Sequence, residues 1–136
     1  MTTTRPIRDG LYVGGPEPRL LGSRCRETGE CFYPVQAMNP VTRRADTMET
    51  VELKGKGVLL NYSVVSRAAP GFDSPYAICM VKLDEGPILT TQLSDWKDVE
   101  LHTGMRVELV IGPICRAGDG ATLLGPKFRP IEGGLR

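Results

Sequence analysis

The chain has 136 residues, of which 40% are apolar, and its 17 Lys and Arg residues nearly balance 16 Asp and Glu. This length allows one domain with at most a small appendage, and a net charge of +1 excludes a bulk attraction to nucleic acid or anionic lipid. The 16 glycines and 11 prolines favour short strands and turns over long helices.

No apolar run approaches the roughly 20 residues that span a bilayer. The N-terminal stretch MTTTRPIRDG lacks the apolar core of a secretory signal, so we expect a cytoplasmic protein without membrane contact. In that compartment Cys25, Cys31, Cys79 and Cys115 are expected to be reduced thiols.

The first 48 residues lack the strand periodicity of the rest of the chain. Residues 1–19 are rich in Arg, Gly and Pro, which predicts an extended N-terminal arm or, alternatively, a disordered tail. Within residues 20–48, Cys25 and Gly29 indicate one knuckle of a β-ribbon, and residues 31–34 indicate its returning strand.

The next segments alternate as the strands of a small barrel do. Residues 49–65 are predicted as a long first strand, in which Gly55 and Gly57 indicate a bulge or a sharp bend. Residues 76–83 are apolar on both faces and are predicted as a central second strand. Residues 88–93 return as the third strand of a hairpin.

The pattern changes at residues 94–99, where a Ser or Asp cap before a short amphipathic run predicts one or two helical turns. A fourth strand at residues 106–111 and a fifth at residues 121–124 follow. Over residues 49–130 this order is that of an OB-fold, a five-stranded Greek-key barrel, although a generic five-stranded barrel also satisfies the alternation. Residues 131–136 are predicted to fray.

The sequence contains no recognisable catalytic or metal-binding set. A tetrahedral zinc centre usually needs two C-x2-C pairs, whereas five residues separate Cys25 from Cys31 and no second pair follows. His102 is the single histidine and is predicted to lie in a polar turn, away from any cysteine that it could activate. We therefore predict no catalytic residue and no metal ligand in this chain.

Large apolar side chains in settings predicted to be exposed are the candidate contact residues. Phe72 is placed at a loop tip, Trp96 on the short helix and Phe128 near the C-terminus. Exposed aromatic residues often anchor interfaces, and the alternative is that each caps an open end of the barrel. Arg43 and Arg44 form an exposed basic pair that is either solvated or in contact with phosphate.

Nucleic-acid binding is a frequent function of OB-folds and provides the alternative hypothesis. Such a site uses stacking aromatics on the second and third strands together with a basic groove. The predicted third strand has no aromatic residue and the net charge is close to zero, so single-stranded nucleic-acid binding is not the leading interpretation.

Short motifs spread along the chain match those of one known family. They are residues 18–25, Gly29 and residues 32–34 in the ribbon, and residues 55–58, 62–65, 75–76, 81–87, 104–108 and 126–130 in the barrel. In this order and spacing they resemble a family of small acyl-CoA-associated proteins with an N-terminal rubredoxin-like zinc ribbon and a C-terminal OB-fold. The resemblance covers about Pro18 to Pro130.

The chain departs from that family at the zinc ligands. Thr28 stands where the family has its second ribbon cysteine, residues 37–42 contain no cysteine where the next pair belongs, and Cys31 falls at a non-ligand position. The resemblance therefore implies a member with a degenerate ribbon that has kept its shape and lost its metal.

The resemblance also implies a function. Members of the family work beside a thiolase-like or hydratase-like subunit and are generally not catalytic. The expected function is that of a non-catalytic accessory subunit, which docks on a thiolase-like catalytic subunit and supports acyl-CoA carbon–carbon bond formation or cleavage. No cofactor is expected on this chain itself, and a coenzyme A thioester is expected at the partner interface.

Overall fold

The computed structural model describes residues 4–8, 10–67, 70–72, 75–97 and 99–131. Within these ranges the chain forms ten β-strands and no helix. The strands are β1 (Thr4–Pro6), β2 (Tyr12–Val13), β3 (Arg19–Cys25), β4 (Cys31–Phe32), β5 (Met48–Leu53), β6 (Lys56–Val65), β7 (Tyr76–Leu83), β8 (Ile88–Leu93), β9 (Arg106–Arg116) and β10 (Thr122–Pro130). Within the same ranges no helix has the length and apolar character needed to span a membrane.

Five of the strands close into a barrel. β7 pairs antiparallel with both β6 and β8, β8 pairs in parallel with β10, and β9 joins β10 to β6 through antiparallel pairings. The predicted five-stranded barrel is therefore confirmed, with β7 paired on both sides. Its core is filled by side chains that alternate inward, such as Cys79, Val81 and Leu83 of β7.

Phe128 belongs to this core. β10 places it opposite Leu109 of β9 and beside Leu93 of β8, and its side chain is fully buried. The prediction that Phe128 is exposed is wrong, because the closing strand does not end at Leu124 but continues to Pro130. The inward alternation of β10 therefore carries Phe128 into the barrel.

The helix predicted at residues 94–99 is not formed in the described part of that segment, residues 94–97 and 99. Asp95 has a φ of 54°, in the left-handed region, which interrupts a right-handed helix. One turn remains, in which the Val99 N–H donates to the Trp96 carbonyl oxygen at 3.2 Å. The connection is instead fixed to the barrel, since the Ser94 N–H donates to the Phe128 carbonyl oxygen at 2.7 Å.

A second sheet precedes the barrel and has β3 at its centre. β5 pairs antiparallel along one edge of β3, while β2 and β4 pair with its other edge. Leu20 of β3 and Leu53 of β5 are fully buried and pack in the same cluster as the barrel side chains. The ribbon and the barrel therefore share one hydrophobic core.

The long strand predicted at residues 49–65 is two strands in two sheets, because β5 ends at Leu53 and β6 begins at Lys56. Gly55 lies between them with a φ of 77°, and a Cβ at this position would lie 2.4 Å from the Leu109 Cβ. A Cβ at Gly57 would lie 2.3 Å from the Lys82 carbonyl oxygen. The bend predicted from the two glycines is thus the junction between the sheets.

The chain termini lie along these two sheets. The predicted arm of residues 1–19 contributes β1, which runs parallel to β10, and β2, which runs antiparallel to β3. The Ile7 N–H extends the first of these contacts by donating to the Leu124 carbonyl oxygen at 2.6 Å. Residues 132–136, in the segment predicted to fray, lie outside the described residues.

Candidate docking surface

A groove of about 640 Å³ opens at one end of the barrel. Its walls come from three segments that are distant in sequence: the loop before β7, the connection after β8, and the hairpin of β9 and β10. In OB-folds the connecting loops carry ligand and partner contacts. This groove is therefore the candidate docking surface.

Backbone contacts hold the groove together. The Arg116 N–H on β9 donates to the Gly71 carbonyl oxygen in the loop before β7, at 2.7 Å. A Cβ at Gly71 would lie 2.7 Å from the Arg116 carbonyl oxygen, so this close approach requires glycine. The buried Gln92 side chain donates from Nε2 to the Ile114 carbonyl oxygen at 3.1 Å and joins β8 to β9.

Two aromatic side chains contribute to the groove. Trp96 and Tyr76 line it, and both are partly buried, with Trp96 packed against the barrel core. The Phe72 ring stacks on the Tyr76 ring, with centroids 5.6 Å apart and an interplanar angle of 22°. Of the predicted contact residues, Trp96 thus lines the groove, and Phe72 lies beside it through its stacking on Tyr76. Tyr76 was missed because its strand pattern identified it only as a barrel residue.

Basic side chains outnumber acidic ones in the described lining of the groove, although the chain as a whole is almost neutral. Among the residues that the structure describes, Lys97, Arg116 and Lys127 line it together with the carboxylate Asp95. Lys97 and Arg116 are exposed, while the Lys127 Nζ donates to the Pro113 carbonyl oxygen at 3.0 Å. Such a surface favours a partner that presents negative charge.

Arg43 and Arg44 lie in the loop between β4 and β5, outside the lining of the groove. Arg44 is exposed and forms ion pairs with Asp46 and Glu27, each at 2.9 Å, and its hydrogen bond to Asp46 lowers the pKa of that carboxyl. Arg43 is exposed, with a φ of 62°. A contact of either residue with a partner or phosphate stays a prediction.

The reactive side chains are kept apart. The exposed His102 ring has its Nδ1 3.2 Å from the Thr103 carbonyl oxygen, and no hydrogen bond among the described residues joins it to a cysteine. Burial raises the pKa of Cys79 to about 12 and also raises the pKa of Cys31 above its ordinary value. Both thiols are therefore protonated at neutral pH and weak as nucleophiles.

The ribbon residues do not fit a tetrahedral zinc centre. Cys25 is the only thiol at a suitable turn position, because Cys31 lies opposite Arg24 in the β3–β4 pairing and so faces the other side of the sheet. In the part of the chain that the structure describes, no three His, Cys, Asp or Glu side chains are grouped closely enough to hold a metal ion. Four nitrogen, sulfur or carboxylate ligands are normal for structural zinc.

Comparison with known proteins places this architecture among related chains. The domain family described as "ChsH2, C-terminal OB-fold domain" matches residues 50–112, which confirms the OB-fold. The chain is 39% identical over 116 residues to a DUF35 domain-containing scaffold protein of Methanocaldococcus jannaschii, covering 83% of this chain and 82% of the relative. It is 28% identical over 117 residues to the benzoylsuccinyl-CoA thiolase subunit BbsA of Thauera aromatica, covering 86% of this chain and 80% of that subunit.

Among solved structures, the chain is similar to one described as "Ltp2-ChsH2(DUF35) aldolase". The TM-score is 0.66 and the sequence identity 29%, and the match covers 82% of this chain and 84% of the other. The similarity therefore extends over both sheets and is not confined to the barrel.

Proposed function

Because this chain belongs to the DUF35 family of OB-fold scaffold proteins, we propose that it is a non-catalytic accessory subunit of a thiolase-like enzyme. In this proposal it docks on the catalytic subunit to form a hetero-oligomer and supports acyl-CoA carbon–carbon bond formation or cleavage there. The partner supplies the catalytic cysteine and histidine and binds the coenzyme A thioester at or near the interface.

The proposal depends on one observation. Along most of its length the chain is similar to proteins that belong to two enzymes acting on carbon–carbon bonds. One relative is named as a thiolase subunit, and the similar structure is that of an aldolase. Thiolases and aldolases both make or break a bond next to a carbonyl group.

Two of the potentially reactive side chains support a role without chemistry. The Cys79 thiol is buried within β7, and its raised pKa keeps it protonated. His102 is exposed and its ring lies next to a backbone carbonyl instead of a nucleophile. A nucleophile needs a base within hydrogen-bond reach, and neither group has that arrangement.

We propose that the groove is the surface that docks on the partner. Trp96 and Tyr76 are partly exposed, and aromatic anchors of this kind dominate the free energy of many interfaces. The exposed Lys97 would contact an acidic side chain of the catalytic subunit. Backbone hydrogen bonds hold the segments on either side of these anchors, from the Ser94 N–H to the Phe128 carbonyl oxygen and from the Arg116 N–H to the Gly71 carbonyl oxygen. Binding should therefore cost little conformational entropy at these segments.

Co-expression with a thiolase-like protein encoded beside it tests the proposed function. The two chains are expected to elute together in size-exclusion chromatography, and thioester turnover is expected in the complex but not with this chain alone. A chain that stays monomeric beside such a partner and has no effect on its turnover contradicts the proposal. Turnover of a thioester by the isolated chain would overturn it as well.

Replacing groove residues is expected to weaken the complex. Tyr76→Ala removes an anchor, and because a central contact is worth about 2 kcal/mol or more, the dissociation constant should rise roughly 30-fold. Lys97→Glu reverses an exposed charge and should weaken binding less, mainly by slowing association and changing its salt dependence. Isothermal titration calorimetry with the purified partner measures this change. Ile88→Ala, at the start of β8 and 54% exposed, is the control and should leave the affinity unchanged. An equal loss for the control would place the interface elsewhere.

Single-stranded nucleic-acid binding is the competing outcome of these experiments. Binding to an oligonucleotide would have to weaken steeply with salt concentration, because cationic side chains release counterions from phosphates. Salt-dependent binding by the purified chain that Lys97→Glu reduces, together with no association with a thiolase-like protein, would favour this alternative. Binding to the protein partner alone would exclude it.

A further inference from the structure

Two parallel strands share one edge of β10. β8 pairs with Lys127 and Phe128, towards the end of β10, while β1 pairs with residues 122–124 at its start. The other edge of β10 pairs with β9 along its whole length. Without β1, the backbone N–H and C=O groups of residues 122–124 on the shared edge would face no other strand in the described part of the chain, and such an edge is a template for a further strand.

Residues 4–7, which we call the strap, are held on this edge by few interactions. All four residues are exposed, and their single aliphatic side chain, Ile7, is 39% exposed. Pro6 has no N–H to donate to the ladder. The ion pair between the Arg5 Nη1 and the Asp119 Oδ2, at 3.0 Å, is exposed on both sides, and pairs of this kind stabilise weakly. The strap should therefore open far more readily than the barrel strands.

The strap lies directly beside the docking groove. A Cβ at Gly125 would lie 3.1 Å from the Ile7 Cγ2 and 3.0 Å from the Ile114 Cγ1, so both side chains lie against this glycine. Ile114 and Thr122 line the groove, and Thr122 is also the β10 partner of Thr4. The edge beneath the strap is therefore continuous with the wall of the groove.

The contacts of the strap show which kind of segment fits this edge. The segment is extended and parallel to β10, and the Ile7 N–H donates to the Leu124 carbonyl oxygen at 2.6 Å. A basic side chain at the place of Arg5 reaches the Asp119 carboxylate. An aliphatic side chain two residues later packs on Gly125, which has no side chain to exclude it. Adding a strand to a sheet edge is a common way to bind an extended peptide segment.

We propose that the strap occupies a strand-binding site, and that an extended segment of the catalytic subunit displaces it when the two proteins dock. This inference rests on the proposed docking at the groove. The incoming segment pairs in parallel with residues 122–124 of β10 and carries a basic residue followed, two positions later, by an aliphatic one. It thereby repeats the contacts that Arg5 and Ile7 make within this chain.

Displacement makes the strap an autoinhibitory element. The strap and the incoming segment use the same N–H and C=O groups of β10, so only the open form can bind the segment. The apparent affinity of the intact chain is then reduced by the fraction of time for which the strap is open. Weakening the strap should raise the affinity, although the strap lies beside the interface and its loss removes side chains from that surface.

Deletion of residues 1–7 tests this consequence. The dissociation constant of the complex with the thiolase-like partner, measured by isothermal titration calorimetry, should fall about tenfold if the strap is closed about nine-tenths of the time. The urea midpoint should change little, since none of the strap residues is buried. A dissociation constant that is unchanged or higher would overturn the displacement. If neither form bound the partner, the proposed function would fail as well.

A single substitution weakens the strap without shortening the chain. Ile7→Ala removes the side chain that lies against Gly125 and keeps every charge and backbone group, so the dissociation constant should fall about two- to threefold. Val13→Ala is the matched control, because Val13 is 40% exposed and lies on β2, outside the strap. The control should leave the affinity unchanged. No change for Ile7→Ala, or an equal change for both variants, would contradict the proposal.

A peptide with the sequence of residues 4–8, TRPIR, tests the edge itself without the partner. Added at millimolar concentration to the chain that lacks residues 1–7, the peptide should shift the NMR amide signals of residues 119–125. In the presence of the partner it should raise the dissociation constant back towards that of the intact chain. The same peptide with Arg5→Glu and Ile7→Ser is the control and should do neither. If the two peptides acted alike, the edge would not be a strand-binding site.

Discussion

Phe128→Ala is expected to lower the free energy of unfolding by about 3–5 kcal/mol, the usual loss for removing a fully buried phenyl ring. The ring is fully buried between Leu109 of β9 and Leu93 of β8. Because β10 pairs with β9 on one side and β8 on the other, a cavity at this position removes contacts that close the barrel. The carbonyl oxygen of Phe128 also anchors Ser94, so the groove connection should loosen as well.

Urea denaturation followed by the fluorescence of Trp96 measures this loss. Phe72→Ala is the matched control, since it makes the same chemical change at a partly exposed residue and should cost no more than about 1 kcal/mol. A loss of no more than about 1 kcal/mol for Phe128→Ala, similar to that of the control, would mean that Phe128 is not part of the barrel core.

The existence of strands could be predicted because period-two alternation is a local property. The strands β7 and β8 lie where the apolar pattern predicts them, while β6 is only the second part of the strand predicted at residues 49–65. β7 is apolar on both faces because it has neighbours on both sides. The end of β10 could not be predicted in the same way. Prolines at positions 126 and 130 suggest a strand end, yet both lie within the paired strand.

The groove depends on tertiary contacts that a single sequence does not display. Trp96 was placed on a helix, but the left-handed Asp95 and the bond from Ser94 to Phe128 fix this segment against the barrel instead. Phe72 and Trp96 were identified as contact residues from their chemistry, while Tyr76 joins them only because the loop before β7 folds back on β9. Local secondary-structure propensity could not predict the contact between this loop and β9.

The second turn of the ribbon, residues 39–43, shows a different limit. The resemblance places a ligand pair within residues 37–42, but the residue types there do not show what replaces the ligands. In the structure the Asn39 Oδ1 accepts from the N–H groups of Val41 and Thr42, and the Arg43 N–H donates to the Asn39 carbonyl oxygen. An asparagine is common in such turns, but its hydrogen bonds depend on a backbone path that the sequence does not give.

Gly55→Ala is expected to lower the free energy of unfolding by about 2–4 kcal/mol, because two separate penalties act at this position. Its φ of 77° is unfavourable for any residue with a Cβ, and the added methyl group would lie 2.4 Å from the Leu109 Cβ. Leu109 is a core residue of β9, so the collision cannot be relieved without moving that strand or opening the junction between the ribbon and the barrel. Urea denaturation measures the change.

Alanine substitutions at two other glycines distinguish the cost of backbone strain from the cost of the steric collision. Gly86 has a φ of 117° and nothing within 4 Å of an added Cβ, so Gly86→Ala should show the cost of backbone strain without the collision. Gly118 has neither a positive φ nor a near neighbour, and Gly118→Ala should change stability by less than about 0.5 kcal/mol. If Gly55→Ala costs no more than Gly86→Ala, then the contact with Leu109 is absent and the two sheets do not share the packed junction on which the common core depends.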